Sequence, residues 1–364
     1  MTQTTQKTRR VLSRRFVILF TTTLLIVISI FKIPSFTLNR NLQDLGYSDE
    51  AISAIKKLKI SKVILDNAYY SDYLNSEIVK EDFKKDYLEL YVNETSLTED
   101  DFLLFDRLVK KGYTKEEVNQ LFKELDFFEL TPLLVFDKLT SIQNYISDCN
   151  KNAATNSKDS LILTGNYLKE YNNITEAKDI DKATVLVTLK HDLGEYIPEQ
   201  LVPLARKYAS EGVEIANIAY DAYIELWNDM YNNDLGIYAL RGYRSYESQK
   251  EIYNSYKDTS EADEKTIRPG FAESQTGLDL QIVDARNENL ANFHNTAEYA
   301  YLKDNAHRFG FIIRYPENKT SITGYSFIPY QIHYVGKDIA TKVYESNLTW
   351  EEYYYLYLDN TETN

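Results

Sequence analysis

The distribution of apolar positions divides the chain into stretches of different character. Residues 16–31, FVILFTTTLLIVISIF, are an uncharged run, and Ile33, Pro34 and Phe36 prolong it past Lys32. A membrane-crossing helix takes about 20 residues, and a lysine near its end can reach the interface with its amine. Residues 16–36 are therefore predicted to be a single-pass membrane anchor. Basic residues cluster on its N-terminal side, which predicts a cytoplasmic tail over 1–15 and an exported body. No small-x-small cleavage pattern follows the run, which favours an uncleaved anchor over a removed signal peptide.

Residues 37–147 carry helical periodicity, with Val118, Leu121, Phe122 and Leu125 as one example. Two segments resemble each other, LGYSDEAISAIKKL from Leu45 and KGYTKEEVNQLFKEL from Lys111. In each, Gly-Tyr precedes a hydroxyl residue suited to cap a new helix. Thr114 with Glu117 makes a capping box, whereas Ser48 has Ala51 at its third position and so makes an incomplete one. The pattern predicts a duplicated helix-turn-helix unit, either a spacer or a surface that docks a protein partner. Residues 148–182 are polar and poorly periodic, and read as a linker. From 183 to 358 the pattern is mixed. VLVTL (185–189) and GIYAL (236–240) read as strands and 201–233 as helix, which together predict an α+β domain with a small mixed or antiparallel sheet. Residues 359–364 are a tail.

Charge narrows the choice of partner. Six of the 41 basic residues and none of the 55 acidic ones lie in residues 1–32, leaving 35 against 55, a balance of −20, in the rest. Such a body is unsuited to nucleic acid, whose phosphates need a basic face, and to anionic lipid surfaces. The single cysteine, Cys149, excludes an internal disulfide framework and cysteine-based metal clusters. There are four histidines: His191, His294, His307 and His333.

Three stretches carry chemistry: GIYALRGYRSYESQKEIY (236–253), RPGFAESQTGLDLQI (268–282) and NAHRFGFIIRYPENKTSITGYSFIPYQIHYVGKDIA (305–340), with LTWEEYYYLYL after them. Together they resemble the VanY-type D-alanyl-D-alanine carboxypeptidases, zinc peptidases that trim peptidoglycan stem peptides, over about residues 183–358. The resemblance implies zinc as cofactor, three zinc ligands, a general base and an anchor for the substrate carboxylate. The family writes a His and an Asp in S-E-H-Q-T-G-L-A-x-D, and its base and third ligand as the Glu and His of E-P-W-H. Here those positions hold Ser274, Gln281, Ile328 and Gln331. Hydroxyl and amide oxygens are weak zinc ligands, and isoleucine accepts no proton. The surrounding frame, Glu273, Gln275 to Leu278, Pro329 and Tyr334 to Gly336, is retained. On the residues, the chain reads as a zinc-less member with no catalytic or metal residues.

A displaced site is conceivable, because Asp279 stands two residues before Gln281 and His333 two after Gln331. Residues i and i+2 of a strand share a face, but the step is about 6.6–6.8 Å and the two displacements need not converge. The resemblance further implies substrate contacts at Arg244, Ser245, Gln249, Arg314 and Tyr315. The alternative for Arg244 and Arg314 is that they pair with buried acids and hold the fold. The expected function is a membrane-anchored pseudoenzyme on the wall side of a Gram-positive-type envelope, binding stem peptides or D-Ala termini without cutting them. The alternatives are a regulatory or scaffolding partner of an active wall enzyme, or a carboxypeptidase with an unconventional site.

Overall fold

Side-chain caps start several helices of the N-terminal part, as the hydroxyl residues predict. Thr114 opens the helix Lys115–Glu124: its hydroxyl accepts from the Glu117 N–H at 3.1 Å, and its own N–H donates to Glu117 Oε2 at 2.8 Å. Ser48 opens Asp49–Lys57 by accepting from the Ala51 N–H. The carboxylate missing from this second box is replaced from elsewhere in the chain, because the Ser48 N–H donates to Asn75 Oδ1 at 3.0 Å. Gly46 and Gly112 take φ of +112° and +102°, a region open to glycine and strained for other residues. The turn drives the following tyrosines, Tyr47 and Tyr113, into the interior.

The computed structural model describes residues 35–152, 161–168, 171–286 and 290–359. The chain divides into two compact units between Phe127 and Phe128. Most of the expected anchor lies outside the described residues; its last two positions, 35 and 36, begin the helix Ser35–Leu45. No helix among the described residues is long and apolar enough to cross a membrane.

The division corrects two expected boundaries. Residues 128–147 cluster with the second unit, and the expected linker is partly built structure. A helix runs Ile142–Asn152, and the Asp148 carboxylate accepts from the N–H groups of Thr164 and Gly165 at 2.9 and 2.8 Å. A polar segment can thus be anchored by side-chain-to-backbone bonds that no periodicity reveals. Cys149 on this helix is fully buried, and burial pushes its thiol up to about 12.

The second unit is α+β. Its ladders are β1 (Thr175–Glu176) parallel to β2 (His191–Asp192), and β3 (Leu201–Pro203) antiparallel to β4 (Glu214–Ala216). The main sheet contains β5 (Ile237–Arg241), β6 (Asp279–Asp284), β7 (Phe311–Tyr315) and β8 (Ile328–Tyr334), in the order β5-β6-β8-β7 with every pair antiparallel. The helix Asn217–Asn232 buries Ala219, Ala222, Tyr223, Leu226, Trp227 and Met230 in the core that also takes Ile237, Ala239, Leu280 and Ile282 from the sheet. Two sequence expectations give way here. Residues 185–189 are not a strand: Val185, Leu186 and Val187 are core residues in a loop, which makes an isolated bridge between Thr188 and His191 and no ladder. The helix expected over 201–233 begins at Asn217, because Pro203 and Gly212 (φ +80°) favour the β3–β4 hairpin before it.

Candidate functional site

β5, β6 and β8 bring three polar side chains onto one rung of the sheet. Arg241 pairs with Gln281, and Gln281 pairs with Gln331; residues directly opposed on antiparallel neighbours share a face. Ser274 arrives from the short 3-10 turn Glu273–Thr276, which Gly277 ends at φ +70° so that the chain can enter β6. A Cβ there would stand 3.0 Å from the Ala216 nitrogen, so the turn is tight as well as left-handed. Ser274, Gln281, Ile328 and Gln331 all line one cleft of about 740 Å³.

Arg244 also lines this cleft. Its backbone N–H donates to the Ser274 carbonyl at 3.0 Å, and its Nη1 donates to Gln249 Oε1 at 2.9 Å. Gln249 is buried, and its amide nitrogen is held by Thr266 Oγ1 at 3.1 Å and the Ile267 carbonyl at 2.6 Å. The guanidinium therefore rests on a neutral, fixed acceptor that leaves its charge uncompensated. Burial, and then the neighbouring Arg241, lower the Arg244 pKa from the usual guanidinium value.

The other expected contacts divide. Tyr315 lines the cleft and donates through its hydroxyl to Glu273 Oε2 at 3.0 Å. Ser245 is not among the lining residues; it caps the helix Tyr246–Asn254 by accepting from the Ser248 N–H. Arg314 does not reach the cleft either. Its side chain has no exposed surface, and it donates to Glu273 Oε1 at 2.5 Å and Glu351 Oε1 at 2.6 Å. For Arg314 the arrangement is that of a buried ion-pair centre, and the expected substrate contact gives way to the alternative of pairing with acids.

Glu273 and Asp279 line the same cleft, and with His333 they form a cluster whose convergence is not legible in the spacing. Asp279 is the register partner of His333, and its Oδ2 lies 3.1 Å from His333 Nδ1. In antiparallel strands, two residues back on one and two forward on the other lead to the same rung, so the displacements meet. Antiparallel pairing of β6 with β8 was the missing signal. Ligand atoms of Glu273, Asp279 and His333 lie within 4.8 Å of one another. The carboxylates are engaged, since Arg314 and Tyr315 donate to Glu273 and Gln331 Nε2 donates to Asp279 Oδ1 at 3.0 Å, whereas the buried His333 Nε2 has no hydrogen-bond partner among the described residues. Burial, reinforced by the Asp279 carboxylate, raises the Glu273 carboxyl to about 7 against the pull of Arg314. Burial alone would lower His333, but the facing Asp279 outweighs it and the imidazole is raised. His191, His294 and His307 are not cleft-lining residues; His307 stacks on Tyr344 with ring centroids 4.1 Å apart.

The side chains at the three expected ligand positions, Ser274, Gln281 and Gln331, do not fit zinc. They are a hydroxyl and two amides, the Gln331 amide is turned to Asp279, and a guanidinium adjoins Gln281. A dication placed there would meet that fixed positive charge with no anion among its three expected ligands.

Comparison with known proteins agrees with the motifs. The family model described as VanY, D-alanyl-D-alanine carboxypeptidase, matches residues 212–337. YodJ of Bacillus subtilis (strain 168), a protein assigned as a carboxypeptidase, is 34% identical over 219 residues, covering 57% of this chain and 80% of that protein. A D-alanyl-D-alanine carboxypeptidase of Enterococcus faecalis (strain ATCC 700802 / V583) is 35% identical over 168 residues, covering 40% of this chain and 60% of that protein. Among solved structures, the LdcB LD-carboxypeptidase is similar at 33% identity and a TM-score of 0.48, over 51% of this chain and 92% of that one.

Proposed function

Given that the chain belongs to the VanY-type D-alanyl-D-alanine carboxypeptidase family, we propose that it is a pseudoenzyme that binds peptidoglycan stem peptides at their D-Ala end without hydrolysing them. The observation that carries this reading is the composition of one cleft. It gathers Ser274, Gln281, Gln331 and Ile328, at the positions where the family keeps its zinc ligands and general base, around a guanidinium that has no carboxylate partner among the described residues. Hydrolysis by the family's route needs a metal-activated water and a carboxylate to take its proton. Ser274, Gln281, Gln331 and Ile328 offer neither. Binding needs less: Arg244 can meet a terminal carboxylate through two N–H donors, and Gln249 holds it in place for that contact. Residues 16–36 would tether the protein to the membrane, with the body on the wall side.

Two measurements test this. Metal analysis of the purified protein should find zinc well below one equivalent, and a peptide-trimming assay on a D-Ala-D-Ala peptide should find no product. Stoichiometric zinc with turnover would reject the proposal. A fluorescent D-Ala-D-Ala peptide should bind saturably, and Arg244→Ala should abolish the binding.

A further inference from the structure

We propose that Arg241 and Arg244 together form a two-guanidinium clamp for a carboxylate, in which Arg241 supplies the positive charge that relatives draw from their metal ion. This deepens the reading above and rests on it for the peptide. The ligand class is a small molecule or peptide end bearing a free carboxylate.

Three independent features of the structure support the clamp. The first is backbone register. A shift between Ala239 and Arg241 breaks the regular pairing of β5 with β6 and sets Arg241 opposite Gln281. Without it, Leu240 would face Gln281 and Arg241 would face Leu280. Bulges of this kind re-aim side chains beside sites, and this one puts Arg241 on the rung that continues through Gln281 to Gln331. Gly242 then carries the chain close past the backbone of β4. A Cβ at Gly242 would come 2.3 Å from the Glu214 carbonyl oxygen, so the short path from Arg241 to Arg244 depends on glycine.

The second is unspent charge. Among the described residues Arg241 reaches a side-chain acceptor only in Gln281 Oε1, at 3.5 Å, the outer limit of a hydrogen bond. Arg244 spends one N–H on Gln249. Among the described residues neither guanidinium pairs with a carboxylate. The acids nearby are engaged elsewhere: Asp263 with Arg268, Glu264 with Lys265, Glu273 with Arg314 and Asp279 with His333. In a chain with 55 acidic and 41 basic residues, two adjacent unpaired cations at one cleft are a complement to an anion.

The third is the mutual repulsion of the pair. Arg241 contributes to lowering the Arg244 pKa, so the two charges are close enough to oppose each other until an anion arrives between them. A carboxylate with one oxygen towards each guanidinium relieves that repulsion and gains charge-assisted hydrogen bonds.

The test is calorimetric titration of the full-length protein with D-alanyl-D-alanine, its C-terminal amide and succinate. Wild type should prefer the free dipeptide to the amide by about tenfold or more. Arg241→Gln should weaken the free dipeptide by about five- to tenfold and leave the amide unchanged, while Arg241→Lys should recover part of the loss. Arg241 is exposed, so its contribution should also fade with added salt, and the affinity of wild type should drop more steeply than that of Arg241→Gln. Unchanged melting of the variants checks that the fold is kept. If Arg241→Gln binds the free dipeptide as wild type does, the clamp is overturned and stem-peptide binding stands. If succinate binds through Arg241 and the dipeptide does not, the clamp stands and the stem-peptide reading falls. Binding of neither anion overturns both.

Discussion

A guanidinium without exposed surface survives only where carboxylates meet it, and Arg314 meets two, Glu273 and Glu351. Removing it would leave both acids buried without a counter-charge. Arg314→Met is expected to destabilise the protein by roughly 3–5 kcal/mol, read from denaturant unfolding. A change inside about 0.5 kcal/mol would mean that the acids are neutral and the pair is not the anchor described. Arg244 has the opposite surroundings: a neutral amide partner and a cleft in front. The motifs gave both arginines the same family role, because the letters around them carry no burial. Glu351 lies 37 residues from Arg314 in the chain, so that contact was not visible in the pattern. Ser274, Gln281, Gln331 and Ile328 were legible as departures, since each interrupts an otherwise intact frame.

At the scale of elements, what a few neighbouring residues decide was readable and what distant ones decide was not. The caps at Ser48 and Thr114 and the turns at Gly46 and Gly112 all lie within four residues of the helices they begin. Thr114→Ala should cost about 1 kcal/mol, because the capping box loses its hydroxyl acceptor and the Glu117 N–H loses its partner. A melting curve of the variant checks this, and a shift no larger than that of an exposed control such as Lys115→Ala would count against it. The hairpin Leu201–Ala216 and the loop at 185–189 were misread for the same reason. Apolar runs there mark burial, but burial is compatible with strand, helix or packed loop. The bulge in β5 left no mark in the sequence, since it arises from pairing with β6.

Over the whole of the second unit, protonation of the buried cluster sets a pH dependence. Glu273 and His333 both hold a proton more tightly folded than unfolded, among Asp279, Glu351, Arg314, Tyr315 and Tyr325. Their stabilisation is complete below the unfolded values, about 4.3 for Glu and 6.5 for His, and is lost as pH rises through the folded ones. Asp137 and Asp148, despite burial, and Asp263 are lowered by hydrogen bonds and ion pairs, so their contribution is already present above about pH 4. The melting temperature should therefore fall between about pH 5 and pH 8, less steeply in His333→Gln; a flat or rising profile in wild type would contradict the cluster's role. The sequence alone determined the family, the α+β class, the helix caps and the loss of the metal-binding letters. These depend on residue identity and on neighbours a few positions away, which a linear string preserves. Only the tertiary structure decided that Asp279 meets His333, that Arg314 is sealed between acids and that Arg241 stands beside Arg244. Those follow from strand register and burial, which are set by the packing of segments far apart in the chain.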